Sequence, residues 1–193
     1  MHLVCFAGGY NAYEARPRYE KVVRVLLERG AWLNAKDKRG VAPVHLCAQW
    51  SRPRILQMLL EFDPEEEEEE EKTATQKRIE AIKMMMGRGR TADPTAKNHC
   101  HWSAFHYAIF AGSKKCVEVL MEADETRAQK HEDPKKAAKA VGQVCDAFGK
   151  TKRGRTALVL ARGGHEDIFK LVQEQAARQL EARGKGPKVR NMV

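Results

Sequence analysis

Along the chain, apolar residues recur three and four positions apart in short clusters separated by polar stretches. That period puts them on one face of an α-helix, whereas a half-buried strand would alternate every second residue. Such clusters occupy residues 22–27, 44–48, 55–60, 105–109, 116–121, 157–161 and 168–172. A further helix is predicted through Ile79, Ile82 and Met86. Another is predicted from Asp133-Pro134 through Ala137, Val141, Val144 and Phe148, with Gly149 as its stop. Asp-Pro suits that start, since Asp caps a first turn and proline there gives up no needed N–H. The pattern predicts a helical chain, and it contains no run of about 18 apolar residues to span a membrane.

The clusters fall into pairs, and a similar polar stretch precedes each pair. Three stretches align: Asp37-Lys-Arg-Gly40-Val-Ala-Pro43-Val-His45-Leu-Cys-Ala48; Asn98-His-Cys-His-Trp-Ser103-Ala-Phe105-His106-Tyr-Ala108 with Gly112 beyond; and Gly154-Arg-Thr156-Ala157-Leu158-Val-Leu-Ala161 with Gly164-His165. Val22 and Ile55, which head two second helices, lie 33 residues apart. His2 to His45 is 43 residues, His45 to His106 is 61, and His106 to Val159 is 53. The excesses over 33 coincide with breaks in the pattern near 9–18, 63–90 and 125–150. The second helices agree, because Cys116 to Ile168 is 52, one short of 53, with a deletion near Gly163. Two rulers thus mark the same insertions between about four units.

These stretches, with Val22-Val23-Arg24-Val25-Leu26-Leu27-Glu28-Arg29-Gly30-Ala31, resemble the ankyrin repeat, with its D-x-x-G-x-T-P-L-H-x-A-A opening and its L-L-x-x-G-A close. The resemblance covers roughly 1–62 and 92–180. It implies an all-α solenoid of helix pairs joined by β-turn hairpins, here with extra inserted helices. The expected organisation is a single domain over 1–184 and a basic, flexible tail over 185–193. Pro43 suits a first helical turn, Ser103 and Thr156 suit caps, and Gly40, Gly112 and Gly164 suit turns. Ala104 and Ala157 stand in the proline's place, and His101 in a glycine's, which puts the later hairpins in question.

Within the middle insertion, residues 75–86 are either an extra helix, the reading preferred, or the true end of the second helix begun at Ile55. Seven consecutive glutamates from Glu65 to Glu71 repel one another and should be solvated and dispensable for folding. At the other end of the scale, Leu3, Val4, Phe6, Val22, Val25 and Leu26 belong to the outermost pair. An upstream segment, a partner, or residues 9–18 folding back should cover them.

The net charge is +9, and removing the seven glutamates raises the remainder to +16. So basic a body could meet nucleic acid, an anionic membrane surface or an acidic protein. Five cysteines without CxxC spacing read as reduced thiols, and the apolar start lacks a basic n-region, so a cytoplasmic or organelle-interior setting is expected.

His99, Cys100, His101, His106 and Cys116 contain zinc-binding residue types. His106 and His45, however, sit at the repeat's histidine position, so metal binding is the minor alternative. Cys47 with His45 lacks an orienting third group, and Gly87-Arg-Gly-Arg-Thr lacks the spacing and lysine of a phosphate loop. No catalytic residue, cofactor or metal is assigned. The expected function is non-catalytic protein recognition through hairpin tips and a concave face, as a scaffold or an accessory subunit of a larger complex. The contact residues expected are Trp32, Lys38, Arg39, Val41, His99, His101, Trp102, Lys152, Arg153 and Arg155. Contact with RNA or DNA within a ribonucleoprotein assembly is the alternative, with phosphates on the cations and bases on Trp32 or Trp102.

Overall fold

A computed structural model describes the backbone of residues 1–2, 5, 12–62, 91–130 and 134–183, and the side chains of these except 12–18 and 134–135. Eight helices are defined among the described residues: α1 (Ala12–Glu28), α2 (Pro43–Gln49), α3 (Pro53–Glu61), α4 (Ala104–Phe110), α5 (Lys114–Gln129), α6 (Pro134–Ala140), α7 (Ala157–Arg162) and α8 (Glu166–Ala182). They stack in two rows. The short helices α2, α4 and α7 pack in sequence, and so do α1, α3, α5 and α8. Each short helix also packs on the helix that follows it. Helices of six or seven residues are not stable alone, so the stack holds them in place. Ala48, Ala108 and Ala161 on the short helices are buried in one core with Phe105, Leu56, Leu59, Leu120 and Ile168.

The histidine at the third position of α2 and of α4 closes each helix start. Ala42 N–H donates to His45 Nδ1 at 2.9 Å, and Ser103 N–H to His106 Nδ1 at 3.3 Å. A ring nitrogen that accepts leaves the proton on the other, so Nε2 donates onward. It reaches Ala96 O at 2.9 Å from His45 and Gly149 O at 3.2 Å from His106, each in the next unit. Ser103 is the N-cap of α4, as expected, and its hydroxyl lies 2.8 Å from His106 Nδ1. Thr156 also caps, accepting from Val159 N–H at 3.3 Å.

The insertions leave the repeat intact. Ala31 N–H donates to Leu26 O at 2.8 Å after α1, and 33 residues on from that acceptor Leu59 O receives Ala92 N–H at 3.2 Å. The same closure therefore spans the middle insertion, and α3 fills the second-helix place. Asn34 fixes the returning chain by donating to Thr91 O at 3.0 Å and accepting from Asp93 N–H at 2.7 Å. The glutamate run, the 75–86 helix and the tail lie outside the described residues, as do Leu3, Val4 and Phe6.

Two helix boundaries differ from expectation. Residues 12–18, read as insertion, extend α1. The helix expected through Phe148 ends at Ala140, and Gly142 has φ 79°. Buried Asp124 on α5 takes over there, accepting from Gly142 N–H at 2.7 Å, Val144 N–H at 2.9 Å and Gln175 Nε2 at 2.9 Å. Of the expected apolar stripe Val144 is buried and Ala137, Val141 and Phe148 are half-buried, while Cys145 and Ala147 are buried beside Val144.

Candidate binding surface

Three hairpins precede α2, α4 and α7, and the same bonds build each. Asp37, Asn98 and Thr151 open them, their side chains accepting from the backbone four residues on: Val41 N–H at 2.8 Å, Trp102 N–H at 2.9 Å and Arg155 N–H at 3.1 Å. Burial alone would raise the Asp37 pKa, but the N–H groups of Val41 and Arg39 and the Arg39 guanidinium bring it below the usual carboxylate value. The fourth residue of each hairpin is left-handed, with φ 75° at Gly40, 61° at His101 and 74° at Gly154. Gly40 is also close-packed, since a Cβ there would lie 2.6 Å from the His99 ring.

The hairpins are tied edge to edge. His99 N–H donates to Arg39 O at 3.1 Å, and Lys152 N–H to Cys100 O at 3.0 Å. Backbone needs are thereby met within the row, and the tip side chains are free to contact other molecules. Lys38, Arg39, His99, His101, Lys152, Arg153 and Arg155 are exposed in this row. Trp102 is half-buried. Val41, expected among the exposed contacts, is only 5% exposed, and it contributes to the lining of the groove described next; its N–H donates to Asp37 and its carbonyl accepts from His2 Nε2 at 2.9 Å. Trp32 is 42% exposed and precedes the first hairpin, outside the groove described next.

That groove, of about 430 Å³, lies between the first two hairpins and the inner faces of α2 and α4. Its lining includes Lys38, Arg39, Leu46, His99, Trp102, Tyr107 and Phe110. Trp102 packs against Tyr107 at 5.2 Å between ring centroids and meets Phe110 edge-on at 5.6 Å. Asn98 holds the Tyr107 hydroxyl at 2.9 Å, and burial raises that phenol's pKa, keeping it neutral. Phe110 is 69% exposed, the most exposed large apolar side chain described. Leu46, Tyr107 and Phe110 line the groove but are not among the contacts expected from the hairpin sequences. The available signal was position: Phe110 matches Gln49 one unit earlier, so an aromatic stands where its neighbour is polar.

The zinc-type residues are dispersed. His106 is bonded at both ring nitrogens, Cys116 is buried with its thiol near Cys47 O at 3.9 Å, and His99 lies over Gly40. Among the described residues, no group of three or more His, Cys, Asp or Glu side chains could hold a metal ion, and no helix is long and apolar enough to cross a membrane.

Stacked helix pairs with hairpins in a tied row define an ankyrin-repeat protein. The family description "Ankyrin repeats (3 copies)" matches residues 72–182, more than half the chain, and the chain belongs to that family. Human transient receptor potential cation channel subfamily A member 1 is 33% identical over 113 residues, covering 53% of this chain and 10% of the channel subunit. Ankyrin repeat and SOCS box protein 3 from Bos taurus is 24% identical over 152 residues, covering 56% of this chain and 29% of that protein. Its human counterpart is 30% identical over 108 residues, covering 56% and 18%. The chain thus spans between a tenth and under a third of these relatives' lengths. Among solved structures, the ankyrin repeat domain of Bcl-3, a member of the IkappaB protein family, aligns with TM-score 0.53 and 17% identity over 91% of this chain and 56% of that one, a likeness of fold. Ankyrin repeats are in general protein–protein interaction modules, and these matches give no direct indication of catalysis.

Proposed function

We propose that this chain is a non-catalytic recognition module that binds a protein partner through its hairpin row and the adjoining groove. The observation that carries this reading is the edge-to-edge tie between hairpins, which fixes exposed side chains of three units on one continuous surface. Rigid presentation lowers the entropy lost on binding, so tips held by backbone bonds suit a recognition surface. Service as a scaffold or accessory subunit follows naturally from a surface that binds without a reactive group.

The test is affinity capture by the full chain, with and without nuclease, followed by mass spectrometry and repeated with Lys38→Glu/Arg39→Glu and Lys152→Glu/Arg153→Glu. A nuclease-resistant partner retained by the native chain and lost by both variants is expected. Retention by both would remove the hairpin row from the interface. The exposed cations of the same row favour a second reading, contact with RNA or DNA in a larger assembly, and capture lost on nuclease treatment would select it.

A further inference from the structure

We infer that the segment recognised here is an acidic peptide carrying one large apolar side chain, which seats against Phe110 and Trp102 while its carboxylates face the hairpin tips. This inference rests on the protein-recognition reading above and specifies the partner's chemistry. Among residues 37–41, 98–102 and 151–155, Asp37 is the one acid, against Lys38, Arg39, Lys152, Arg153 and Arg155. Its carboxylate is already engaged, accepting from the N–H groups of Arg39 and Val41 and lying 4.0 Å from the Arg39 guanidinium. Among the described residues, Lys38, Lys152, Arg153 and Arg155 form no ion pair, so the row turns uncompensated positive charge outward. Cations along a rim steer an anionic partner and fix its register, and contribute less to affinity than a buried anchor does.

The groove supplies the anchor site. Phe110, exposed to 69%, lines it with Trp102, which it meets edge-on, and with Leu46, and the cations Lys38 and Arg39 share the lining. A peptide side chain inserted there removes apolar surface from water on both sides. Nucleic acid fits this arrangement less well. Base stacking needs an open ring face, and Trp102 is half-buried, tilted 53° against Tyr107 and edge-on to Phe110.

The test is fluorescence anisotropy on the full chain with short labelled peptides: one rich in Glu and Asp with a central Phe, the same peptide with Ser for that Phe, and a Lys-rich peptide with the Phe. Single-stranded poly(dT) and a DNA duplex are run alongside. The acidic Phe peptide should bind tightest. Replacing its Phe, or introducing Phe110→Ser into the protein, should weaken binding about tenfold or more, as loss of a central anchor does. Phe110 is exposed, so the variant should keep the native circular dichroism. Lys152→Glu/Arg153→Glu should weaken the same peptide and flatten its salt dependence. Equal affinity for the Ser peptide, no effect of Phe110→Ser, or no peptide binding would overturn the inference, as would tighter oligonucleotide binding lost with the same variants. A captured protein that needs the hairpins but contacts them through a segment without acids would sink this inference and leave the recognition reading standing. Capture independent of the hairpins would sink the recognition reading itself.

Discussion

His101 holds φ 61° at the hairpin position that Gly40 and Gly154 occupy in the flanking units. A side chain in that region costs about 1 kcal/mol or more. His101→Gly should therefore stabilise the protein by about 1 kcal/mol, read as a higher urea midpoint. Gly154→Ala should cost a similar amount, since a Cβ there meets nothing within 4 Å and the backbone conformation is the main penalty. Gly40→Ala should cost more, because His99 lies in the way. An unchanged midpoint in Gly154→Ala would show that the turn tolerates a side chain. The sequence alone displayed His101 in a glycine's place; it did not reveal that the turn keeps its left-handed geometry there. Similarly, the histidines were legible as a repeat feature, but their relay from one unit to the next was not. Burial lowers the pKa of both His45 and His106, so both stay neutral in the fold at neutral pH. The unfolded chain takes up protons below about pH 6.5, so stability is full above that value and falls with acidification towards the folded pKa values. Each histidine should contribute a loss of up to about 1.4 kcal/mol per pH unit in that window. Urea midpoints at pH 7.5 and 5.5 would measure it, and a flat profile would refute the neutral relay.

At the scale of elements, the 33-residue period located the helix pairs because apolar spacing and hairpin chemistry repeat together. It failed between Ala140 and Phe148, where Val144 is buried and Val141 and Phe148 are half-buried along turns. Periodicity reports which positions are buried and leaves open which backbone presents them. What decides the matter is Asp124, far away in sequence, whose carboxylate accepts from Gly142, Val144 and Gln175. Asp124→Ala would leave those buried donors without an acceptor, at a cost of about 3 kcal/mol. Asp124→Asn keeps one oxygen and turns an amide N–H towards a donor, so it should recover only part of that loss. Chemical denaturation with hydrogen exchange over 134–148 would report both. A cost under about 1 kcal/mol for the alanine variant would mean that water replaces the carboxylate. The groove was less legible than the hairpins for a related reason. Tips are marked by turn residues, whereas Phe110 gains its meaning from lying beside Trp102, a contact made by the fold of hairpin onto helix.

Across the whole molecule, stability is passed from unit to unit, and the α4–α5 unit lies between two complete helix pairs. Helix α4 packs on α2 and on α7, its hairpin bonds to both adjoining hairpins, and His106 reaches on to Gly149. In such a stack each unit is stable largely through its interfaces, so damage at the centre should spread in both directions and damage at an end should stay local. Phe105, fully buried on α4, tests the first case. Phe105→Ala should cost about 3–5 kcal/mol and speed hydrogen exchange through both 43–61 and 157–182. Val23, fully buried on α1, tests the second. Val23→Ala removes fewer atoms and should speed exchange over 19–31, where Val22 and Val25 are already exposed, while 104–128 exchanges as before. The same asymmetry bears on recognition, because the spacing of the tips depends on the central hairpin. Phe105→Ala should weaken partner capture under conditions where the protein still reads as helical, and Val23→Ala should not. Equal spread of fast exchange from both substitutions would show that the chain unfolds as one cooperative body, and would reject unit-by-unit transmission along the stack.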